Sequence, residues 1–312
     1  MRVLVLGGNG FIGSHLLDKL INLDWEIVVY DRVKEGYRRE LKGVRYVYGE
    51  FDDRRKIAKV LKGIDVVFHL IWTTIPKTSN DNPIFDVQSN VLSTIALLEE
   101  CIKANIKKFI FMSSGGTVYG IPQTNPIKET HPTNPICSYG ITKLCIEKYI
   151  MLFQRMQGLN YSIIRASNPF GERQNPLNAQ GFVTVLLYKT VLGQPVTIWG
   201  DGNVVRDFFY VGDLAKALST IAINNAPSGI YNIGSSKGIS LNRMIEIIKE
   251  TTGIAPMIIY KKPRNFDIPK VILDISKAKI KLGWFPETSL EAGIEKTYNW
   301  LQQLSKNIKK WK

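Results

Sequence analysis

Short apolar runs alternate with longer amphipathic stretches through the first half of the chain. Residues 2–6 read as a buried strand, Ile27–Tyr30 as a second that ends in Asp31, and Val44–Tyr48 as a third. Asp65–Leu70 and Lys107–Met112 read as a fourth and a fifth. Apolar positions at helical spacing cover His15–Leu23, Arg54–Leu61 and Pro83–Lys103, and a further helix-like run covers Ile141–Gln157. Strands alternating with helices predict an α/β fold, a doubly wound parallel sheet with helices on both faces. Past Asn168 the alternation breaks. A loop rich in Gly, Asn and Gln leads to a helix over Phe182–Leu192 and a short strand over Val196–Trp199. Helical patterns then cover Asp213–Asn224, Leu241–Thr251 and Leu290–Gln303, with no internal repeat and no low-complexity linker.

Composition narrows the class. The 312 residues, 45% hydrophobic and 22% charged, suffice for one or two domains with a sizeable core. No apolar run reaches the roughly 18 residues of a membrane span. The run after Met1-Arg2 ends at Gly7, too soon for a signal peptide. Three cysteines (Cys101, Cys137 and Cys145) have no metal-ligand spacing, which predicts reduced thiols, no bound metal and a cytoplasmic protein. The net charge is +14, yet the lysines are scattered, which argues against nucleic acid as a partner. A basic face suits a diphosphate substrate or an anionic membrane surface. The tail Lys306–Lys312 reads as a solvated end.

Ligands on parallel sheets bind beyond the carboxyl ends of the strands. That points to Gly7–Gly13, Asp31, Glu50-Phe51, the stretch His69–Pro76 and Ser113-Ser114. Strand, Gly7-x-x-Gly10-x-x-Gly13 and helix make a dinucleotide-binding turn, so the sheet is read as Rossmann-type. The glycines let the backbone approach a pyrophosphate at a helix N-terminus, where free N–H groups and the helix dipole favour anions. Asp31 is placed to accept from the adenosine ribose hydroxyls, and its charge repels a 2′-phosphate; this favours NAD over NADP, a preference Arg32 weakens slightly. His69 reads as packed in the sheet. Tyr139 and Lys143 lie four apart, on one helix face. An ammonium near a phenol favours the phenolate, so the pair predicts a base that works near neutral pH.

These features together resemble the extended short-chain dehydrogenase/reductase family: the glycine turn, Asp31, Ser113-Ser114-Gly115-Gly116-Thr117-Val118-Tyr119-Gly120 and Tyr139-Gly140-x-x-Lys143. Within it the chain is similar to the nucleotide-sugar epimerase/dehydratase branch typified by UDP-glucose 4-epimerase. The resemblance continues through Arg165–Gly171, Arg206–Asp213, Asn232–Gly234 and Leu282–Trp284. It implies a cofactor lobe over residues 1–168, with parts of the later chain returning to it, and a smaller C-terminal α/β substrate lobe over 169–312. The active site would lie in the cleft between them.

The same resemblance implies a bound NAD, with Gly7, Gly10, Phe11, Ile12 and Gly13 at the pyrophosphate and Asp31 and Arg32 at the adenosine ribose. Glu50 and Phe51 would lie at the adenine, and Leu70, Asn90 and Ser113 near the cofactor. Tyr139 would be the catalytic base, with Lys143 lowering its pKa and bonding the nicotinamide ribose. Asn168 would contact a substrate diphosphate. Arg206 and Arg264 would grip the phosphates and nucleotide ribose, Asp267 would touch that ribose, and Trp199 would flank a uracil. The implied activity is 4-epimerisation of a nucleotide sugar, a UDP-hexose, by transient oxidation at C4. The alternative is an NAD(P)H-dependent reductase of a nucleotide-linked 4-keto-6-deoxysugar. A cofactor-binding protein without catalysis is disfavoured by the intact Tyr139 and Lys143. A homodimer is also implied, through helices beginning near Pro83 and Tyr139, with Ile146, Ile150 and Phe153 as candidates for its face.

Three departures matter. Relatives carry Ser or Thr where this chain has Gly115, which leaves Ser114, Thr117 or a water beside Tyr139 to hold the reacting sugar oxygen. The Asp-Glu pair of the 4,6-dehydratases is replaced by Gly116-Thr117, which removes the acid and base that elimination needs. The lysine that some relatives carry after the fourth strand is displaced to Lys77. The loops 72–82 and 171–181 are expected to set sugar choice.

Overall fold

The computed structural model describes residues 1–36, 38–177, 181–263 and 268–306. Arg264 and Asp267, two of the expected substrate contacts, lie outside the described residues.

The first half runs β1 (Arg2–Leu6), α1 (Phe11–Leu20), β2 (Glu26–Asp31), β3 (Val44–Tyr48), α2 (Arg54–Val60) and β4 (Val66–His69). Then come α3 (Pro76–Asp81), α4 (Pro83–Asp86), a π-helical turn (Val87–Leu92), α5 (Ser93–Lys103), β5 (Lys108–Ser114), α6 (Ser138–Gln157) and β6 (Tyr161–Ala166). The second half holds β7 (Asn168–Phe170), α7 (Phe182–Val191), β8 (Val196–Trp199), β9 (Val205–Arg206), β10 (Phe208–Tyr210) and α8 (Val211–Ile223). It ends with β11 (Gly229–Ile233), β12 (Ile239–Ser240), α9 (Leu241–Thr252), β13 (Ile258–Lys261), β14 (Lys270–Val271), α10 (Ser276–Leu282) and α11 (Leu290–Lys306).

Seven strands pair in parallel in the order β11-β6-β5-β4-β1-β2-β3. The central strands β1, β2, β4 and β5 carry nearly unbroken apolar runs because both faces are buried, whereas the edge strand β3 has Arg45 exposed and no buried residue. Val3, Val5, Ile27 and Val29 pack with α1 and α8 on one face, and Leu4, Leu6, Val28 and Tyr30 pack with α2, α5 and α6 on the other. The chain leaves β1 towards β2 and β3 on one side and returns through β4 on the other. That reversal opens a crevice at the carboxyl ends, where ligands of such sheets sit. A separate core joins α7, α9 and α11 with β8 and β10.

Several boundaries differ from the sequence reading. Helix α1 starts at Phe11, four residues before His15, because its first turn is the glycine turn itself. The helix expected over Pro83–Lys103 is interrupted by the π-turn, and α3 before it was not foreseen. Strand β6, and β11 pairing beside it, were read only as motifs. Ile146 and Ile150 are fully buried in the sheet core, so they do not belong to an exposed dimer face; Phe153 packs against the same core.

Candidate active site

The glycine turn is shaped to take an anion. Gly7 has φ +81°, a conformation that favours glycine, and a Cβ at Gly13 would stand 2.2 Å from the Gly7 carbonyl oxygen. Helix α1 starts after Gly10 with no side chain capping its first N–H groups, which leaves them for a ligand. Asp31, 8% exposed at the end of β2, accepts from the backbone N–H of Asn9 at 3.0 Å and of Val33 at 3.2 Å. Burial pushes its carboxyl up, and those backbone donors oppose the shift. The Asn9 Oδ1 atom is buried with no partner among the described residues. These residues fit a dinucleotide. Arg32 and Glu50 are exposed at the rim, Leu70 is half-buried beyond β4, and Phe51 is buried against His69 at 5.0 Å between ring centroids. His69 is packed as expected. Thr94 gives its hydroxyl proton to the Asn90 carbonyl, so His69 Nε2 donates to Thr94 Oγ1 at 2.9 Å.

Helix α6 begins at Ser138, so Tyr139 lies within its first turn. No side chain of its own caps that end. Helix α3 does so instead: Asn80 Oδ1 accepts from the Ser138 N–H at 2.9 Å, and Ser79 Oγ accepts from the Tyr139 N–H at 3.0 Å. One turn on, Lys143 is 3% exposed. Its Nζ donates to the Met112 carbonyl at 2.6 Å and lies 3.5 Å from the centre of the Trp72 ring, itself edge-on to Tyr139 at 5.3 Å.

The expected electrostatics of this pair are overturned. Burial raises the Tyr139 phenol above its ordinary pKa, and the Asp86 carboxylate adds to the rise. Burial also holds Lys143 well below the ordinary lysine value, against the pull of Glu147 and Asp86. Desolvation therefore outweighs the attraction that the i, i+4 spacing suggested.

A cavity of about 540 Å³ opens where the start of α1, β5, β6 and the second half converge. Phe11 and Ile12 from α1, Ser114, Thr117 and Tyr139 line it. Asn168, Trp199 and Arg206 line it as well. Asn168 Nδ2 donates to the Asp207 carbonyl at 3.2 Å, and Arg206 donates to the Ile268 carbonyl at 2.7 Å. Trp199 is 42% exposed and is not a core residue. Ser113 faces away, donating to Glu147 at 2.5 Å. Asn90 also lies behind the wall: its Oδ1 accepts from the Thr73 N–H at 3.1 Å, and its amide donates to Asp86 at 2.9 Å.

The family model for the NAD dependent epimerase/dehydratase family matches residues 3–234. The chain belongs to that family. A Methanocaldococcus jannaschii protein provisionally named UDP-glucose 4-epimerase is 40% identical over 302 residues, 96% of this chain and 98% of its own. The crystal structure of a Thermotoga maritima UDP-glucose 4-epimerase with UDP-glucose superposes with a TM-score of 0.92 at 36% identity, covering 98% of this chain and all of that one. A Thermus thermophilus UDP-glucose 4-epimerase in complex with NAD gives 0.90 at 31% identity, covering 97% and 99%.

Against the family pattern, Gly115 has a local reason. A Cβ there would meet a Leu273 methyl at 2.5 Å and the Arg165 carbonyl oxygen at 3.1 Å, so the position faces packed chain. Ser114, Thr117 and Ser167 are among the hydroxyl residues that line the cavity, and Thr117 Oγ1 and Ser167 Oγ are buried without partners among the described residues. Sequence reasoning included Trp72 in the candidate stretch His69–Pro76, and Ser79 and Asn80 in the loop 72–82, without giving any of them a role, and it missed Asp86. Pro76 at the start of α3 was the available signal for that helix, since proline suits a first helical position. Asp86 and Asn90, four apart on one face, were the signal for the buried cluster.

Proposed function

We propose that the protein is an NAD-dependent 4-epimerase of a nucleotide-diphosphate hexose, a UDP-sugar. The observation that carries this reading is the shared wall: Tyr139 lines the same cavity as the α1 N-terminus and the Ser114 and Thr117 hydroxyls. NAD, when bound, supplies reversible uptake and return of a hydride at C4 of the sugar. The glycine turn and Asp31 hold it. Tyr139 takes the C4 hydroxyl proton and returns it, and Ser114 or Thr117 holds the C4 oxygen. Lys143, fixed by Met112 and Trp72, supplies a donor beside Tyr139; a positive charge added to this site lowers the phenol pKa. Asn168, Arg206 and Trp199 hold the nucleotide diphosphate, with Arg264 and Asp267 assigned to the same group. Residues 1–168 serve as the cofactor lobe, with β11 returning to their sheet, and 169–312 mainly as the substrate lobe.

Among the described residues no helix is long and apolar enough to cross a membrane. A cytoplasmic location goes with the three unpaired thiols. A homodimer goes with the apolar residues exposed on elements that pack together, Ile84, Phe85 and Leu92 on α4 and the π-turn and Ile141, Leu152 and Met156 on α6. Sedimentation at twice the 35.3 kDa chain mass is expected, and a monomer at micromolar concentration would refute the dimer.

The test is conversion of UDP-glucose, UDP-galactose, UDP-N-acetylglucosamine or UDP-glucuronate to its C4 epimer with no added reductant, followed by NMR. Tyr139→Phe should keep its NAD and lose on the order of 10²–10⁴ in rate. If no sugar is converted and a 4-keto-6-deoxysugar nucleotide is reduced with NADH or NADPH, the enzyme is the reductase instead.

A further inference from the structure

Asp86 ends α4 and is fully buried. Its two oxygens take four neutral side-chain donors. Oδ1 accepts from Thr74 Oγ1 at 2.6 Å and Asn90 Nδ2 at 2.9 Å; Oδ2 accepts from Ser138 Oγ at 2.9 Å and Thr142 Oγ1 at 3.0 Å. Thr142 shares that hydrogen with the Ser138 and Tyr139 carbonyls. Ser138 and Thr142 flank Tyr139 on α6, and Thr74 belongs to the loop that follows β4. One carboxylate thus ties that loop to the first turn of the helix carrying Tyr139.

We propose that Asp86 is the positioning residue for Tyr139, fixing the first turn of α6 from behind the cavity wall. The inference rests on the reading of Tyr139 as the base. Two roles come from one group. As an acceptor, Asp86 fixes Ser138 and Thr142 on either side of Tyr139, and placement errors of an ångström at a base are costly. As an anion it opposes formation of the phenolate and favours the ammonium of Lys143. The other titratable groups facing the pair are Cys137 ahead of α6, Glu147 on α6 and His69 on β4.

The experiment compares the pH profile of kcat for the NAD-loaded wild type and Asp86→Asn on the UDP-sugar that is converted, with Tyr139→Phe alongside. Removing a negative charge lowers the phenol pKa, so the limb on which rate rises with pH should move to lower pH by about one unit. The plateau rate should fall on the order of tenfold through loss of placement, with NAD content retained. A limb at its wild-type position overturns the proposal. If Asp86→Asn does not fold, Ser138→Ala and Thr142→Val each remove one donor and leave the charge; lower kcat with NAD retained supports the proposal, and wild-type kcat in both overturns it. An active Tyr139→Phe overturns the reading of the base as well, which separates that failure from a failure of Asp86 alone.

Discussion

Two buried carboxylates meet at helix α6, Glu147 on the helix itself and Asp86 packed against it from α4, and they are held in opposite ways. Glu147, two turns beyond Tyr139, is fully buried and meets a cation: Arg165 donates to its two oxygens at 3.1 and 2.6 Å. Asp86, against the first turn, is as deeply buried and meets hydroxyls and an amide. Burial works against the Arg165 charge, yet Glu147 outweighs it and raises the guanidinium above its ordinary value. Lys143, midway, responds to both carboxylates, whereas Tyr139 responds to Asp86. Burial is the same in the two regions, and the partner differs. The ion pair does not silence Glu147, whose charge acts on Lys143 ahead of that of Asp86; of the two carboxylates, though, only Asp86 acts on Tyr139, so the phenol is governed by the carboxylate that neutral donors hold.

The largest effect expected from breaking this contrast is on stability. Glu147→Gln leaves Arg165 buried without its counter-ion and should cost about 3–5 kcal/mol, read from urea melts. The pH position of the kcat limb should hold, in contrast to Asp86→Asn. A limb shift in Glu147→Gln as large as that in Asp86→Asn would break the distinction between the two carboxylates. Removing both charges together, as Glu147→Leu with Arg165→Met, should restore most of the stability, because an apolar pair of similar volume needs no counter-ion.

That contrast also explains what could be read from the sequence. Strands buried on both faces announce themselves as apolar runs, and β1 with its glycine turn carries the cofactor reading within a dozen residues. Tyr139 and Lys143 were legible because i, i+4 spacing is local. The direction of the Tyr139 shift was not, because it is decided by burial and by Asp86, contributed from another helix. Gly115 looked like a lost hydroxyl; its reason is Leu273, far along the chain and packed where a side chain would go. The Gly229–Ile233 segment is short and only partly apolar, so its return to the edge of the sheet beside β6 left little local trace. Residues whose role is set by a neighbour close in sequence were found, and residues whose role is set across the fold were not.

His15 carries the rule to a neutral ring facing a cation. It lies on α1, 6% exposed, where the loop after β7 crosses to the cofactor side. Arg173 can only donate, so Nδ1 accepts its hydrogen at 2.8 Å and Nε2 donates to the Glu172 carbonyl at 2.9 Å. Burial, with Arg173 adding to it, lowers the ring pKa to about 4, against 6.5 in the open chain. Protons therefore bind the unfolded chain first as pH falls. The stability this group contributes is complete above pH 6.5 and declines towards about pH 4. At pH 5 the loss should be about 2 kcal/mol relative to pH 7, seen as a lower urea midpoint. His15→Gln has no ring to titrate and should lose correspondingly less between pH 7 and pH 5. An equal loss in wild type and variant would mean that the ring is protonated in the folded protein, and that Arg173 does not keep it neutral.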